Sequence, residues 1–258
     1  MLEKLRSLLQ YTGRTARRCP VCGSPVRAFI SLPQSFAESA RKHGFSHFGK
    51  GETINVAEYA CPHCGASDRE RLYALFLDEI VSAPAFVRGA RLLHFAPEPA
   101  LSSRVRHLDA FDYRTADPFM EGVDDRVDIT DMAAYRDEEF DCFICSHVLE
   151  HVGDDRRAIR ELRRILKPGG WGILMAPIMP HLKHTVEDPA AITDADRWRL
   201  FGQGDHVRLY GKEDYLLRIR ESAFAVLEYG VEHFGAACFD RHGITRRSVL
   251  YVVRNPHD

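Results

Sequence analysis

The chain has 258 residues, of which 45% are hydrophobic and 28% are charged, and its formal net charge is -2 at pH 7. These values are ordinary for a globular protein, and the small negative charge argues against nucleic-acid binding over the whole surface while leaving a local basic patch open. No stretch approaches the roughly 18 consecutive apolar residues of a membrane span. The first ten residues, MLEKLRSLLQ, are too charged for a signal peptide, and Leu2, Leu5 and Leu9 have the spacing of a short amphipathic helix. We therefore expect a cytoplasmic protein with one large domain and a small module, or with two modest domains.

Four of the seven cysteines form two closely similar pairs, Cys19 with Cys22 in CPVCG and Cys61 with Cys64 in CPHCG. Paired Cys-x-x-Cys motifs without an export signal favour metal binding over disulfides. A glycine after each second cysteine allows the positive φ that such a turn needs. The two pairs therefore predict a closed, tetrahedral and structural Zn²⁺ site, and two redox pairs are the alternative.

The two cysteine pairs are separated by residues 23–60, a longer spacing than zinc ribbons usually have. Within this insertion, SFAESARKHGF is typical of a short helix, and TINVAEYA is typical of a strand. Ser67 and Glu70 then form a capping box at the start of a helix that leads into the main domain. We expect a zinc-ribbon-like module over residues 1–68 and the main domain over residues 69–258.

From residue 90 onward, short apolar runs alternate with amphipathic helical patterns. This order predicts an α/β, Rossmann-like fold with a mostly parallel sheet covered by helices on both faces. The predicted strands are ARLLHFA, DYRTADP, FDCFICSHV and WGILMAPI, and a final pair comprises AVLEYGVEHFG and SVLYVVRN. RVDITDM is a further short element, and the predicted helices include PALSSRVRHL, DDRRAIRELRRIL and DYLLRIRESAF.

One long segment, FDCFICSHVLEHVGDDRRAIRELRRILKPGGWGILMAPI, resembles the central signature of class I S-adenosylmethionine-dependent methyltransferases. YRTADP and VDITDM fit the two acidic cofactor positions of that family, and the resemblance covers roughly residues 70–254. LHFAPE, FGQGDHVRLYG and the CPxCG pairs are similar to an uncharacterised bacterial subfamily of type 11-like methyltransferases. The resemblance implies a seven-stranded, mostly parallel sheet with an antiparallel last strand, and S-adenosylmethionine as cofactor.

The predicted cofactor loop, HFAPEP, contains no glycine. Dinucleotide sites use glycines to aim backbone N–H groups at a pyrophosphate, whereas S-adenosylmethionine has no phosphate. A turn shaped by Pro97 and Pro99 therefore suits S-adenosylmethionine better than a nicotinamide dinucleotide, with Glu98 pairing with the cofactor ammonium. The predicted loop contacts are His94, Phe95, Ala96 and Glu98.

Acidic residues further along the chain are the predicted contacts for the nucleoside part of the cofactor. Asp117 ends the second main strand roughly 20 residues past the loop, where a carboxylate accepts hydrogen bonds from ribose hydroxyls. The resemblance assigns Asp128 to the exocyclic amine of adenine and Ile129 to the face of the ring. The alternative for both aspartates is a turn or a helix cap.

Ser146 and His147 end the fourth strand, at the sheet edge where open α/β folds bind ligands. Methyl transfer needs the nucleophile aligned with the methyl–sulfur bond, and an imidazole can accept a proton near neutral pH. We therefore expect Ser146 at the cofactor, His147 as the first candidate base and His151, one helical turn on, as the second. Either histidine could instead be structural. The pair also has metal-ligand spacing, but the sequence shows no third ligand.

Two polar stretches, HTVEDP and FGQGDHVRLYG, lie between late strands and are the predicted acceptor side of the site. The candidate acceptor-binding residues are Glu187, Asp188, His206, Arg208 and Tyr210. A loop of this kind closes over a ligand in many enzymes, and a solvated loop is the alternative.

Three functions remain open on the sequence alone. The leading one is methyl transfer to a small-molecule or glycan acceptor, with the zinc module structural. The second is an RNA methyltransferase, because the first 60 residues carry nine Lys or Arg against four Glu; against it stand the net negative charge and CSHV in place of an Asn/Asp-Pro-Pro-aromatic motif. The third is a binding protein whose cofactor loop is degenerate. The sequence reveals neither the acceptor nor the oligomeric state.

Overall fold

A computed structural model describes residues 17–256, so the helix expected around Leu2, Leu5 and Leu9 lies outside the described range. The strands are β1 Arg17–Arg18, β2 Pro25–Val26, β3 Ala90–Phe95, β4 Phe111–Ala116, β5 Phe140–Ser146, β6 Leu166–Met175, β7 Ile178–Met179, β8 Val186–Glu187, β9 Arg208–Gly211, β10 Ala225–Tyr229 and β11 Leu250–Arg254. The helices are α1 Gln34–His43, α2 Asp68–Ser82, α3 Pro99–Leu108, α4 Asp155–Ile165, α5 Asp194–Phe201, α6 Lys212–Glu221, α7 Val231–Phe234 and α8 Ala236–His242. None of these helices is long and apolar enough to cross a membrane.

The main sheet has the strand order β10–β11–β6–β5–β3–β4. Strands β4, β3, β5 and β6 pair in parallel, whereas β11 is antiparallel to both β6 and β10. The α/β, Rossmann-like class and the antiparallel last strand are therefore confirmed. Since β5 and β6 lie in the middle of the sheet, residues 142–146 and 170–175 of these strands are buried throughout.

The sheet has six strands within residues 17–256, one fewer than the seven that the resemblance implies. The missing strand would lie in the RVDITDM region, where only two isolated bridges form, Ala116 with Asp125 and Asp128 with Asp131. The Asp128 carboxylate accepts hydrogen bonds from the backbone N–H and the hydroxyl of Thr130, both at 2.8 Å. This local turn withdraws the backbone from ladder pairing, which explains the shorter sheet.

The insertion between the cysteine pairs packs directly on the main sheet's domain. The helix predicted there is α1, but TINVAEYA forms only single bridges at Ala60. Glu52 donates its backbone N–H to the carbonyl of Ile178 at 2.9 Å, and Thr53 donates its hydroxyl to the carbonyl of Val249 at 3.1 Å. The insertion thus contacts both β7 and the start of β11.

A second, three-stranded sheet in the order β7–β9–β8 follows β6, and helix α5 packs beside it. Its small apolar core combines Met179, Phe201 and Leu209 with Phe45 from the insertion. The polar stretches predicted to lie on the acceptor side therefore form a folded layer that faces the insertion.

Candidate active site

Two residues at the carboxyl edge of the sheet adopt a left-handed backbone without being glycine. Ala96, directly after β3, has φ 46°, and His147, directly after β5, has φ 56°. This conformation costs an ordinary residue roughly 1–2 kcal/mol. The backbone N–H of Ala96 donates to the carbonyl of Ala116 at 3.0 Å, and that of His147 donates to the carbonyl of Met175 at 2.9 Å. Neighbouring strands thus hold both turns at the edge where open sheets bind ligands.

The Glu98 carboxylate lies between these two turns and is held by three side chains. Its Oε1 accepts a hydrogen bond from the hydroxyl of Ser146 at 2.9 Å and lies 3.7 Å from Nε of Arg69. Its Oε2 lies 3.0 Å from Nε2 of His94. Burial alone would raise the pKa of Glu98, but His94 and Arg69 outweigh it and lower the pKa to about 2. Glu98 is therefore a fixed carboxylate at neutral pH.

His94 and Ser146 act on the site through Glu98. His94 is fully buried, and its second nitrogen, Nδ1, lies 2.8 Å from the hydroxyl of Tyr113. Ser146 is buried as well, and its Oγ lies 3.1 Å from the hydroxyl of Tyr73. Phe95 is 2% exposed and belongs to the main core. Of the predicted loop contacts, Ala96 and Glu98 are therefore the ones that remain partly open to a ligand.

Arg69 at the start of α2 was missed by the sequence analysis. Its Nε is buried and has no hydrogen-bond partner among the described residues, and its side chain lines a cavity next to His147. Burial opposes the charge, but the neighbouring carboxylate of Glu98 dominates and raises the pKa of Arg69. Arg69 and Glu98 thus place a cation and an anion side by side. The only sequence signal was its position just inside the capping box.

The acidic residues predicted for the nucleoside occupy turns. Oδ1 of Asp117 accepts from the backbone N–H groups of Phe119 and Met120, both at 2.7 Å. Asp128 is exposed, and its Oδ1 accepts a hydrogen bond from the backbone N–H of Thr130. Ile129 is 5% exposed and packs in the core. Each aspartate therefore uses one carboxylate oxygen for its own turn.

A cavity of about 160 Å³ lies between the insertion and the layer after β6. Its wall is largely apolar, and its residues come from both sides of that interface. The apolar lining includes Leu32, Phe36, Phe45, Phe48, Ile54, Ile178, Met179, Phe201 and Leu209. The polar lining includes His47, Glu52, Arg69, His147, Gln203 and His206. An apolar pocket with a few converging polar groups is the usual form of a small-molecule site.

His147 connects this cavity to the end of β5. Its Nδ1 lies 3.2 Å from Oε1 of Glu150. Burial and the positive charge of Arg69 lower the pKa of His147. The imidazole is therefore neutral near pH 7. His151, the second candidate, points its Nδ1 toward Asp205 at 3.4 Å and does not line the cavity.

Most residues predicted for the acceptor lie in a buried ionic network. Arg208 is 3% exposed; it donates from Nε to Glu187 at 2.7 Å and from its terminal nitrogens to carbonyls of the turn 149–153. Tyr210 is fully buried and donates its hydroxyl to Asp155 at 2.6 Å. Arg218 completes the network by donating to Asp155 and Glu187. These side chains brace the turn after β5 and lie away from the cavity, contrary to the expected acceptor contacts.

The remaining two predicted acceptor residues differ from each other. Asp188 is exposed, and its Oδ1 accepts from the backbone N–H of Ala190 at 2.9 Å. His206 is 3% exposed and lines the cavity. Of the five candidates, His206 is thus the one that the structure brings to the cavity beside His147.

The four cysteines of the CPxCG pairs converge, with all four sulfur atoms within 4.8 Å of one another. Sγ of Cys19 lies 3.8 Å from that of Cys64, and Sγ of Cys22 lies 3.9 Å from that of Cys61. Tetrahedral Zn–S bonds of about 2.3 Å place sulfurs about 3.8 Å apart. Gly23 and Gly65 have φ of 72° and 78°, so the predicted positive φ is confirmed. All four cysteines are free thiols whose spacing fits a structural metal ion.

Part of the main domain matches a known protein family. Residues 96–174, from the turn after β3 to β6, match the family model described as a methyltransferase domain. These residues thus match a methyltransferase domain, as the resemblance to class I S-adenosylmethionine-dependent methyltransferases implies. The resemblance seen in the sequence is thereby confirmed. None of the curated proteins compared with the chain matches it.

Several solved structures are similar to the chain at low sequence identity. The [4+2]-cyclase SpnF is 18% identical, with 90% of this chain and 100% of that chain covered and a TM-score of 0.49. An S-adenosylmethionine-dependent methyltransferase from Mesorhizobium loti is 14% identical, with 70% and 97% covered and a TM-score of 0.43. One from Methanosarcina mazei is 13% identical, with 70% and 98% covered and a TM-score of 0.42. Similarities this low carry no argument about the reaction.

Proposed function

We propose that the protein transfers a methyl group from S-adenosylmethionine to a small-molecule acceptor bound in the cavity beside His147. The observation that carries the proposal is the cavity itself, which adjoins the carboxyl end of β5 and is lined mostly by aromatic and aliphatic side chains. Its volume of about 160 Å³ resembles that of engineered cavities of about 150 Å³ that bind benzene. The size and apolar wall favour a ring-sized group over a glycan or a nucleic-acid backbone.

The proposed cofactor contacts follow from the charges that meet at the carboxyl edge of the sheet. The methionine end of S-adenosylmethionine carries an ammonium and a carboxylate, which Glu98 and Arg69 complement as an adjacent anion and cation. Asp117 keeps one carboxylate oxygen for the ribose hydroxyls, because only Oδ1 is used by the turn. Asp128 is exposed, and its second carboxylate oxygen is likewise left to accept a hydrogen bond from the adenine amine. When bound, the cofactor supplies an electrophilic methyl group on a sulfonium.

The proposed role of His147 is to take the proton of the acceptor's nucleophilic atom. Its Nδ1 is directed at Glu150, which leaves Nε2 as the free nitrogen of a residue that lines the cavity. The nucleophile's bond to the methyl carbon forms as the carbon–sulfur bond breaks, and the released proton passes to the imidazole. Apolar walls around the acceptor exclude water and align the reacting atoms.

We also propose that the four converging cysteines, Cys19, Cys22, Cys61 and Cys64, hold one structural Zn²⁺. The sulfur spacing supports this assignment, and four thiolates leave no open position for catalysis. A metal at this point fixes both ends of the insertion that forms one wall of the cavity.

The test of the proposed function is calorimetric titration with S-adenosylmethionine and S-adenosylhomocysteine. The matched variants are Asp117→Asn, which keeps an acceptor for the turn, and Asp112→Asn, which changes an exposed carboxylate. We expect micromolar binding that weakens about 10-fold to 100-fold in Asp117→Asn, because charge-assisted hydrogen bonds contribute about 1.5–3 kcal/mol. Unchanged binding in both variants would refute the assigned ribose contact.

A second measurement addresses the acceptor and the alternatives. We expect turnover with members of a panel of small aromatic alcohols and amines, and we expect Ile54→Trp, which fills the cavity, to abolish turnover without weakening cofactor binding. Turnover on RNA, with affinity falling steeply as salt rises, would support the RNA alternative instead. Absence of cofactor binding by folded protein would support the non-catalytic alternative.

A further inference from the structure

One buried carboxylate near the cavity has no hydrogen bond of good geometry within residues 17–256 and is surrounded by histidines. Glu150 follows β5 within the VLEH sequence and is 1% exposed, and neither of its carboxylate oxygens has a hydrogen-bond partner among the described residues. Its nearest polar contacts are the imidazoles of His147 at 3.2 Å and His151 at 4.0 Å, and a buried carboxylate is costly unless a positive charge neutralises it. The groups nearest to this carboxylate are histidines, so its environment calls for a cation.

The histidines stand at distances typical of ligands around one ion. Nδ1 of His147 lies 3.2 Å and Nε2 of His151 lies 4.0 Å from Oε1 of Glu150. Glu150, His151 and His206 each offer one ligand atom, and these three atoms lie within 4.8 Å of one another. Ligands that bind a common ion at about 2.0–2.2 Å lie about 3–4 Å apart, so small side-chain shifts would close the site.

In both His151 and His206, Nδ1 already lies beside an oxygen that can accept its hydrogen. Nδ1 of His206 lies 3.3 Å from the carbonyl oxygen of Phe201, and Nδ1 of His151 lies 3.4 Å from Oδ2 of Asp205. Metal-bound histidines almost always donate their second N–H to a carbonyl or carboxylate in this way. The arrangement leaves Nε2 of each ring as the free ligand atom.

The backbone that carries these ligands is rigidly braced. Arg208 donates to the carbonyls of Leu149 and Gly153 at 2.6 and 2.9 Å, on either side of Glu150 and His151. The backbone N–H of Val207 donates to the carbonyl of Glu150 at 2.8 Å, which ties the strand next to His206 to the same turn. The ligand atoms are therefore pre-positioned by interactions that do not involve the ion.

We propose that Glu150, His151 and His206 bind a divalent transition-metal ion of the Mn²⁺, Fe²⁺, Co²⁺ or Zn²⁺ class. Two imidazoles and one carboxylate form a donor set that suits these ions and leaves coordination positions open. This site is separate from the four-cysteine cluster, whose thiolates fill a tetrahedral shell. Because His206 and His147 line the cavity, the ion would hold an oxygen or nitrogen of the acceptor beside His147, a role that rests on the proposed function.

The test is Mn²⁺ titration of the full chain, followed by electron paramagnetic resonance, with the four-cysteine metal retained. Mn²⁺ binds thiolate sites poorly, so its signal reports the oxygen and nitrogen site. We expect one Mn²⁺ per chain at micromolar affinity, lost in Glu150→Gln and His206→Ala and unchanged in His184→Ala, which alters an exposed histidine. We expect Asp205→Asn, an exposed position, to weaken Mn²⁺ binding about tenfold, as loss of an outer carboxylate does elsewhere.

Several outcomes would overturn the proposal. These are no Mn²⁺ or Co²⁺ binding by folded wild-type protein up to millimolar concentration, or equal binding by wild type, Glu150→Gln and Asp205→Asn. Cofactor calorimetry on the same samples separates this proposal from the proposed function. Metal binding without cofactor binding would support the metal site and refute the methyl transfer. Cofactor binding without metal binding would support the proposed cofactor site and refute the metal site.

Discussion

The Glu98→Gln substitution tests whether the carboxylate at the centre of the strand-end network is a fixed charge. The amide that replaces the carboxylate retains an acceptor for the hydroxyl of Ser146 but loses the charge that faces His94 and Arg69. The pKa of about 2 lies roughly two units below that of an unfolded glutamate, which corresponds to about 3 kcal/mol of stabilisation of the charged form. We expect a loss of about 2–3 kcal/mol at pH 7, which lowers Tm by about 4–12 °C in a chain of this size.

The pH dependence of this effect has a defined sign. Because the folded pKa of Glu98 is depressed, its contribution is fully present above the unfolded pKa of about 4.3 and disappears as pH falls toward about 2. Wild type and Glu98→Gln should therefore converge in stability across this window. Urea unfolding at pH 7 and at pH 3 measures the difference, with exposed Glu121→Gln as the control. A gap that is constant with pH, or a loss at pH 7 no larger than in the control, would refute the reasoning.

Two further substitutions test the module contact and the strained turn. Arg71→Met removes a buried guanidinium that donates to backbone carbonyls of residues 58, 59, 66, 242 and 243. We expect the free energy of unfolding, measured by thermal unfolding, to fall by about 3–5 kcal/mol. Exposed Arg27→Met is the control, with an expected loss under about 1 kcal/mol, and a loss that small in Arg71→Met would contradict its role. Ala96→Gly removes roughly 1–2 kcal/mol of left-handed strain but adds about 0.4–1 kcal/mol of unfolded-state freedom. We expect unchanged or slightly raised stability, and a loss above 1 kcal/mol in urea unfolding would show that the turn is unstrained.

Local patterns predicted the parts of the fold that depend on local physics. The period of the apolar residues in DDRRAIRELRRIL predicted the helix α4 and its buried Ile159, Leu162 and Ile165. The capping box at Ser67 and Glu70 predicted the start of α2, and both of its hydrogen bonds are present. The predicted seventh strand does not form in the described part of the chain. Side-chain hydrogen bonds to the nearby backbone compete with strand pairing there, and the alternation of apolar and polar residues does not reveal this competition.

The candidate site was less accessible to sequence reasoning, because it depends on contacts between distant residues. Arg208 and Tyr210 looked like ligands because they are polar and lie in a loop region, but Arg208 pairs with Glu187 and Tyr210 donates a hydrogen bond to Asp155. Conversely, Glu150 was passed over as part of a family motif, although His206, far along the chain, lies beside it. Whether a polar side chain faces a ligand or a neighbour is fixed only by tertiary packing.

The origin of the cavity wall has a consequence for how this enzyme can diversify. Residues between Cys22 and Cys61 form one side of the cavity, while the residues proposed to hold the cofactor lie outside this insertion. A loop closed at both ends, here by the metal that we propose at the cysteine pairs, tolerates changes in length at small entropic cost, because the cost of closure grows only with the logarithm of length. Acceptor preference can therefore change by remodelling a loop anchored at both ends, with the methyl-donor machinery left intact. The two cysteine pairs thus fix the ends of a loop whose length and sequence can vary.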